Sequence, residues 1–336
     1  MSRSRALLAA GLAVVTMGMA PGPFGAELET PPAPAPPAGP AETPKREPTG
    51  VLSVTLSEAP PDDKAGQLPP WFSEGELVGR MAATITRTES PEDADEKATE
   101  VARTIKEAYA AMGKDAAFAK LPCALAPALS GHLKPPCHYY LYVPEDYKAD
   151  REYPALLLLH GGGGNLRCGL YLSVEHARRH GLIIICPTFR NGEWWTEEGM
   201  AFALKALADA AKRYRVNAKA VAIGGVSNGA IGAWAISEKF KDKFAAVISI
   251  SGAFNGSKPV AAGKGPPVYI VHGARDAVFS PDLSRAAYAV LKERPGTVYR
   301  ELADAGHLAA LTKSKEVNDG VYEWLGKTIK NGAARE

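Results

Sequence analysis

The chain has 336 residues, with 39 Lys and Arg against 37 Asp and Glu, a formal charge of +2, and no basic block that could track a phosphate backbone. Nucleic acid is therefore not an expected partner. Its 46% hydrophobic content suits one large packed domain with a tail, and four cysteines are too few for a small disulfide scaffold.

In chain order, Arg3 and Arg5 precede an apolar run from Ala6 to Ala20, and no acid occurs before Glu27. This is the shape of a signal peptide, expected over 1–26, and the run is too short for a stable transmembrane span. It implies a secreted protein, or one of the periplasm or cell envelope. Residues 27–50 are expected to be a Pro/Ala-rich linker in extended polyproline II conformation, since PPAPAPPAGPAETPKREP has nothing with which to form a core. Residues 51–121 read as a small N-terminal helical region. Its clearest element opens with Ser90 as N-cap and Pro91 at the first helical position. Apolar residues then recur at Ala94, Ala98, Val101, Ala102, Ile105, Ala108, Tyr109 and Met112, and Gly113 supplies a stop. The expected role of that helix is to pack on the main domain.

Residues 122–332 form the expected catalytic domain. Strands are predicted at His138–Val143, Ala155–Leu159, Leu182–Cys186, Ala220–Ile223, Ala245–Ile250, Val268–Val271 and Val298–Leu302, with helical periodicity between several of them. Strand and helix alternating in this way imply an α/β fold, a mostly parallel sheet with helices on both faces, and a ligand site outside the carboxyl ends of the strands.

The strongest chemical signal is Gly225-Val226-Ser227-Asn228-Gly229, which joins a buried strand directly to a helix. Glycines beside the central residue permit a sharp turn that raises the serine hydroxyl above the sheet, so Ser227 is the candidate nucleophile. A serine needs a base and an orienting acid. In the chain order Ser, Asp, His, these are Asp276, past the next-to-last strand, and His307, past the last. Asp282 and Asp304 are the rival acids. The oxyanion hole is assigned to the N–H of Asn228 at the helix start and to Gly162 in the four-glycine loop after His160, with Gly163 as second choice. His160 is expected to brace that loop. Trp194 and Trp195, in a loop at the carboxyl edge, are candidate substrate-binding residues.

His176 and His180 have metal-ligand spacing but lack the glutamate of a zinc-protease helix, so no metal is assigned, and no cofactor. For the four cysteines, the simplest pairing in an exported protein is Cys123 with Cys137 and Cys168 with Cys186.

His160–Asn165, Trp194-Trp195, Tyr214-Arg215-Val216 and Gly225–Gly229 together resemble the α/β-hydrolases of the secreted esterase type, which include polyhydroxybutyrate depolymerase-like, feruloyl esterase-like and LpqC-like proteins. The resemblance covers roughly residues 135–330. It implies the α/β-hydrolase fold and the cleavage of a small-molecule or polymeric carboxylic ester through an acyl-enzyme. The chain departs from depolymerase-like members at Gly199-Met200-Ala201-Phe202, where they tend to carry an acid. Two rival functions are a serine peptidase of the same fold and a catalytically silent envelope-binding module.

Overall fold

A computed structural model describes residues 48–56, 74–89, 92–121, 138–163, 166–254 and 264–333. The expected signal peptide, nearly all of the linker, and Ser90, Pro91, Cys123, Cys137, Gly164 and Asn165 lie outside the described residues.

Eight strands form one sheet: β1 (Gly50–Thr55), β2 (His138–Val143), β3 (Tyr153–Leu159), β4 (Ile183–Pro187), β5 (Val216–Val226), β6 (Ala246–Ile250), β7 (Val268–Gly273) and β8 (Val298–Leu302). Their order is β1-β2-β4-β3-β5-β6-β7-β8. β2 runs antiparallel to both of its neighbours, and every pairing from β4 to β8 is parallel. This order, with one reversed strand near one edge and helices on both faces, is the α/β-hydrolase fold.

Parallel strands covered on both faces read as continuous apolar runs, as Ala155–Leu159 and Ile183–Ile185 do. The alternating side chains of each strand then divide between two cores. On one face, Tyr140, Tyr142, Leu156, Ile184 and Ile248 pack against α3 (Leu166–His180) and α8 (Ser314–Ala333). On the other, Tyr139, Leu141, Leu157, Ile185 and Val247 meet α4 (Glu197–Arg213), α5 (Asn228–Lys239) and α6 (Pro281–Leu291). A one-turn helix, α7 (Ala309–Thr312), follows β8.

The segment 51–121 differs from the expectation of a small helical region. β1 lies within it and pairs along all of β2, from Gly50 opposite Val143 to Thr55 opposite His138. A strand such as β2, buried at every position, needs a partner on its outer edge, and β1 supplies the hydrogen bonds. The expected periodic helix is α2 (Ala94–Lys114), which runs through Gly113; its N-cap position is Asp93, whose side chain makes no capping bond. A second helix, α1 (Glu74–Glu89), was not anticipated. The two helices pack closely, and at Gly75 a side chain would collide with Tyr109.

α1 is fastened to the sheet domain at its first residue. Glu74 pairs with Arg167 at the start of α3, where both side chains are largely buried, and Arg167 also donates to the Leu121 carbonyl at 2.7 Å. Burial pulls the Arg167 pKa down from its ordinary value, so the guanidinium depends on that carboxylate.

The pairing of Cys168 with Cys186 is corrected. Both are free thiols, one on α3 and one on β4, buried in the same apolar core. Burial pushes Cys168 up to about 12 and Cys186 well above its ordinary value, so each acts as a small core residue. Among the described residues, no helix is long and apolar enough to cross a membrane.

Candidate active site

The turn between β5 and α5 is among the tightest in the molecule. A Cβ at Gly225 would overlap the backbone of Gly229, and one at Gly229 would overlap the Leu159 carbonyl. Between them Ser227 takes φ 55° and ψ −121°, a strained conformation for a residue with a side chain, held by its N–H donating to the Ile250 carbonyl at 2.9 Å. The hydroxyl is thereby lifted off the end of β5, at the start of α5.

His307 and Asp276 reach that point from the loops after β8 and β7. The His307 Nε2 lies 2.9 Å from the Ser227 Oγ, and its Nδ1 lies 2.9 Å from the Asp276 Oδ2. The structure thus joins the three candidate triad residues in one hydrogen-bonded chain. The other Asp276 oxygen accepts the N–H groups of Val278 and Phe279 at 2.9 and 2.8 Å. Burial alone would raise the Asp276 pKa, but the hydrogen bonds from His272 and His307 outweigh it and hold the carboxyl well below the usual carboxylate range.

The rivals are placed elsewhere. Asp304 is exposed and pairs with Lys313, while Asp282 sits in the first turn of α6 and pairs with Arg285 at 2.6 Å. Ser251 also has a positive φ, but it is fully buried.

His272, near the end of β7, is a further residue of the site, one not singled out in the sequence. It is fully buried, its Nε2 facing the Asp276 Oδ2 and the Phe279 carbonyl at 3.0 Å each and its Nδ1 facing the Ser284 hydroxyl at 2.7 Å. Two carbonyl-type oxygens at Nε2 require the proton there, so His272 acts as a fixed donor to the acid. The i, i+4 spacing of His272 and Asp276 was its only sequence signal.

The glycine loop lies directly against the serine: a Cβ at Gly161 would stand 3.0 Å from the Val226 carbonyl and 3.2 Å from the Ser227 Cβ. Asn191 separates the two candidate donors in this loop. Its Oδ1 accepts the Gly163 N–H at 2.7 Å, which occupies that group, whereas the Gly162 N–H has no partner among the described residues. The Asn191 carbonyl in turn accepts from the Asn228 side chain at 3.2 Å, tying the loop to the start of α5. Asn191 had no motif around it.

His160 braces the loop as expected. Its Nδ1 donates to the Gly161 carbonyl at 2.7 Å and its Nε2 accepts the Phe189 N–H at 3.0 Å, which fixes a neutral ring. Trp194 is a correction. It is 0% exposed, its Nε1 donates to the His160 carbonyl at 2.8 Å, and its Cβ fills the space beside Gly232, so it supports the loop from below and cannot line a cleft. Trp195 is half-buried. His176 stacks on Tyr322 and sits 3.6 Å from Asp319; among the described residues, no three His, Cys, Asp or Glu side chains group as a metal site.

No protein-family model matches this chain, and no curated protein matches it. Similar solved structures include a thermostable esterase (22% identity, TM-score 0.48, 56% of this chain against 58% of that one) and the acetyl xylan esterase from Aspergillus awamori (15%, 0.46, 56% against 93%). A prolyl endopeptidase is a third (17%, 0.48, 57% against 36%). The chain thus spans little more than half the length of the thermostable esterase.

Burial pushes His160 down to about 4 from an ordinary 6.5. Between those values the unfolded chain binds a proton that the folded protein refuses, so this stabilisation is complete above pH 6.5 and falls as the pH drops towards 4, by on the order of 3 kcal/mol. Urea unfolding at pH 7 and pH 4.5 should show wild type losing more stability over that interval than His160→Gln; equal losses would contradict the assignment. By strand order, and by the elbow and carboxyl-edge loops just described, the chain has the α/β-hydrolase fold.

Proposed function

We propose that the protein is an exported serine hydrolase that cleaves carboxylic esters through an acyl-enzyme on Ser227. The observation that carries this reading is the continuous hydrogen-bonded chain from the Ser227 Oγ through His307 to Asp276, set at the strained turn. In it, His307 takes the serine proton at Nε2 as the Oγ attacks the ester carbonyl, and Asp276 remains an anion that orients the ring and stabilises the imidazolium. The N–H groups of Gly162 and Asn228 receive the oxyanion. His307 then protonates the departing alkoxide, and a water activated at the same nitrogen releases the acid. Trp195 is proposed to contact the substrate, a small-molecule or polymeric ester.

Ser227→Ala should leave the fold intact and lower kcat on the order of 10⁴–10⁶, as is typical when a nucleophile is deleted. Retained activity in that variant would overturn the assignment.

Ester preference over peptide follows from the leaving group. An alkoxide is protonated readily by His307, whereas an amine must be protonated as it departs, and peptidases usually add recognition of the chain. With matched ester and anilide substrates, kcat/KM should favour the ester strongly; a ratio near one or below would favour the peptidase reading.

Export is proposed from the cationic start and apolar run of residues 1–20. N-terminal sequencing of the native protein should find a mature start between residues 21 and 30, and an intact Met1 on a cytosolic product would refute it.

A further inference from the structure

The loops that carry Asp276 and His307 meet at one carboxylate that comes from outside the catalytic sheet. Glu89, the last residue of α1, is half-buried, and its Oε1 accepts the backbone N–H of His307 at 2.6 Å. The backbone N–H of Ala277, next to Asp276, also faces this carboxylate and favours its charged form. The second carboxylate oxygen fills the volume that a side chain at position 306 would need, so Gly306 and Glu89 fit one another.

Little else favours a charge at this place. Burial raises the Glu89 pKa, the Asp276 anion repels it, and the C-terminal end of a helix is the unfavourable end for an acid. Only the His307 N–H, the nearby Ala277 N–H and the His307 ring oppose these effects. These N–H groups belong to the loops that must hold the His307 ring within 2.9 Å of both the serine and the acid.

We propose that Glu89 is a positioning residue for His307: by binding the main chain of the His307 loop, and by filling the space beside Gly306, it fixes the imidazole between Ser227 and Asp276, and so α1 completes the active site. This rests on the serine hydrolase reading above. The carboxylate touches only main-chain groups of the loops, so its loss should act on the reacting geometry, in kcat, and leave ground-state binding alone. Displacements of about 1 Å in such sites cost up to roughly a hundredfold.

The test is steady-state hydrolysis of a short-chain aryl ester by wild type, Glu89→Ala, Glu89→Gln, Gly306→Ala and the double variant Glu89→Ala/Gly306→Ala. Labelling of wild type and Ser227→Ala by a fluorophosphonate is measured alongside. Glu89→Ala should lower kcat between about tenfold and a hundredfold with KM within about twofold. Glu89→Gln keeps one acceptor oxygen and should recover most of that loss. Gly306→Ala expels the carboxylate and should reproduce the loss, and the double variant should be no worse than either single one. Wild-type kcat in Glu89→Ala, a loss in KM alone, or single losses that multiply would overturn the proposal. Should Glu89→Ala not fold, Glu89→Gln and Gly306→Ala decide, and wild-type kcat in Gly306→Ala overturns it. If wild type neither turns over ester nor labels at Ser227, the hydrolase reading fails and this inference with it. If Ser227 labels and turns over while Glu89→Ala matches wild type, this inference alone fails.

Discussion

The catalytic edge depends on one steric constraint, the close passage of the main chain at the β5–α5 turn. Gly225 and Gly229 approach each other and the end of β3 so nearly that neither can carry a Cβ. This closeness drives Ser227 into its left-handed conformation and sets the first amides of α5 beside its hydroxyl. The strain is of order 1–3 kcal/mol, and it persists because the parallel strands on either side of β5 leave the turn no other course. The glycine loop after β3 packs onto the same point, so the proposed nucleophile and oxyanion donors are positioned by one contact.

The polar groups around that contact are arranged in chains, each with its direction fixed. Asp276 accepts from two backbone amides, His272 and His307, which keeps it ionised despite burial. In the proposed mechanism, a carboxylate satisfied in this way stays an anion and orients the imidazole without taking its proton. On the other side, Trp194, His160 and Asn191 hold the glycine loop through its carbonyls and the Gly163 N–H, leaving the Gly162 N–H directed elsewhere. A loop of glycines supplies exposed amides but no stiffness of its own, so the stiffness comes from these neighbours.

What the sequence made legible was local. Apolar runs marked strands β2 to β8, and Gly-x-Ser-x-Gly between a strand and a helix marked the turn, because both patterns are written within a dozen residues. Asp276 and His307 could be reached by chain order and by their places after strands. Contacts made across long separations left no comparable trace: Glu89 meets His307 from 218 residues away, and Asn191 meets Gly163 from 28. β1 carries its own β-branched run, Val51-Leu52-Ser53-Val54-Thr55, but it is partly exposed along its length, follows the Pro/Ala segment and stands about 80 residues before β2, its partner, so it was not read as a strand. Trp194 was misjudged for a related reason. A tryptophan at a carboxyl edge can face the cleft or the core, and Gly232 on α5, which makes room for it, was not read as its partner. The Cys168 and Cys186 pairing failed because nearness in sequence says nothing of where a helix and a strand each turn their thiols.

The direction of β1 sets where the described domain begins relative to the serine. β1 starts opposite Val143 and ends opposite His138, and His138 lies beside the carboxyl end of β4. Gly50 therefore enters the sheet at the end where the parallel strands begin, while Ser227, Asp276 and His307 occupy the far end. The first described strand thus opens at the edge opposite the serine and reaches the catalytic-site edge only at Thr55.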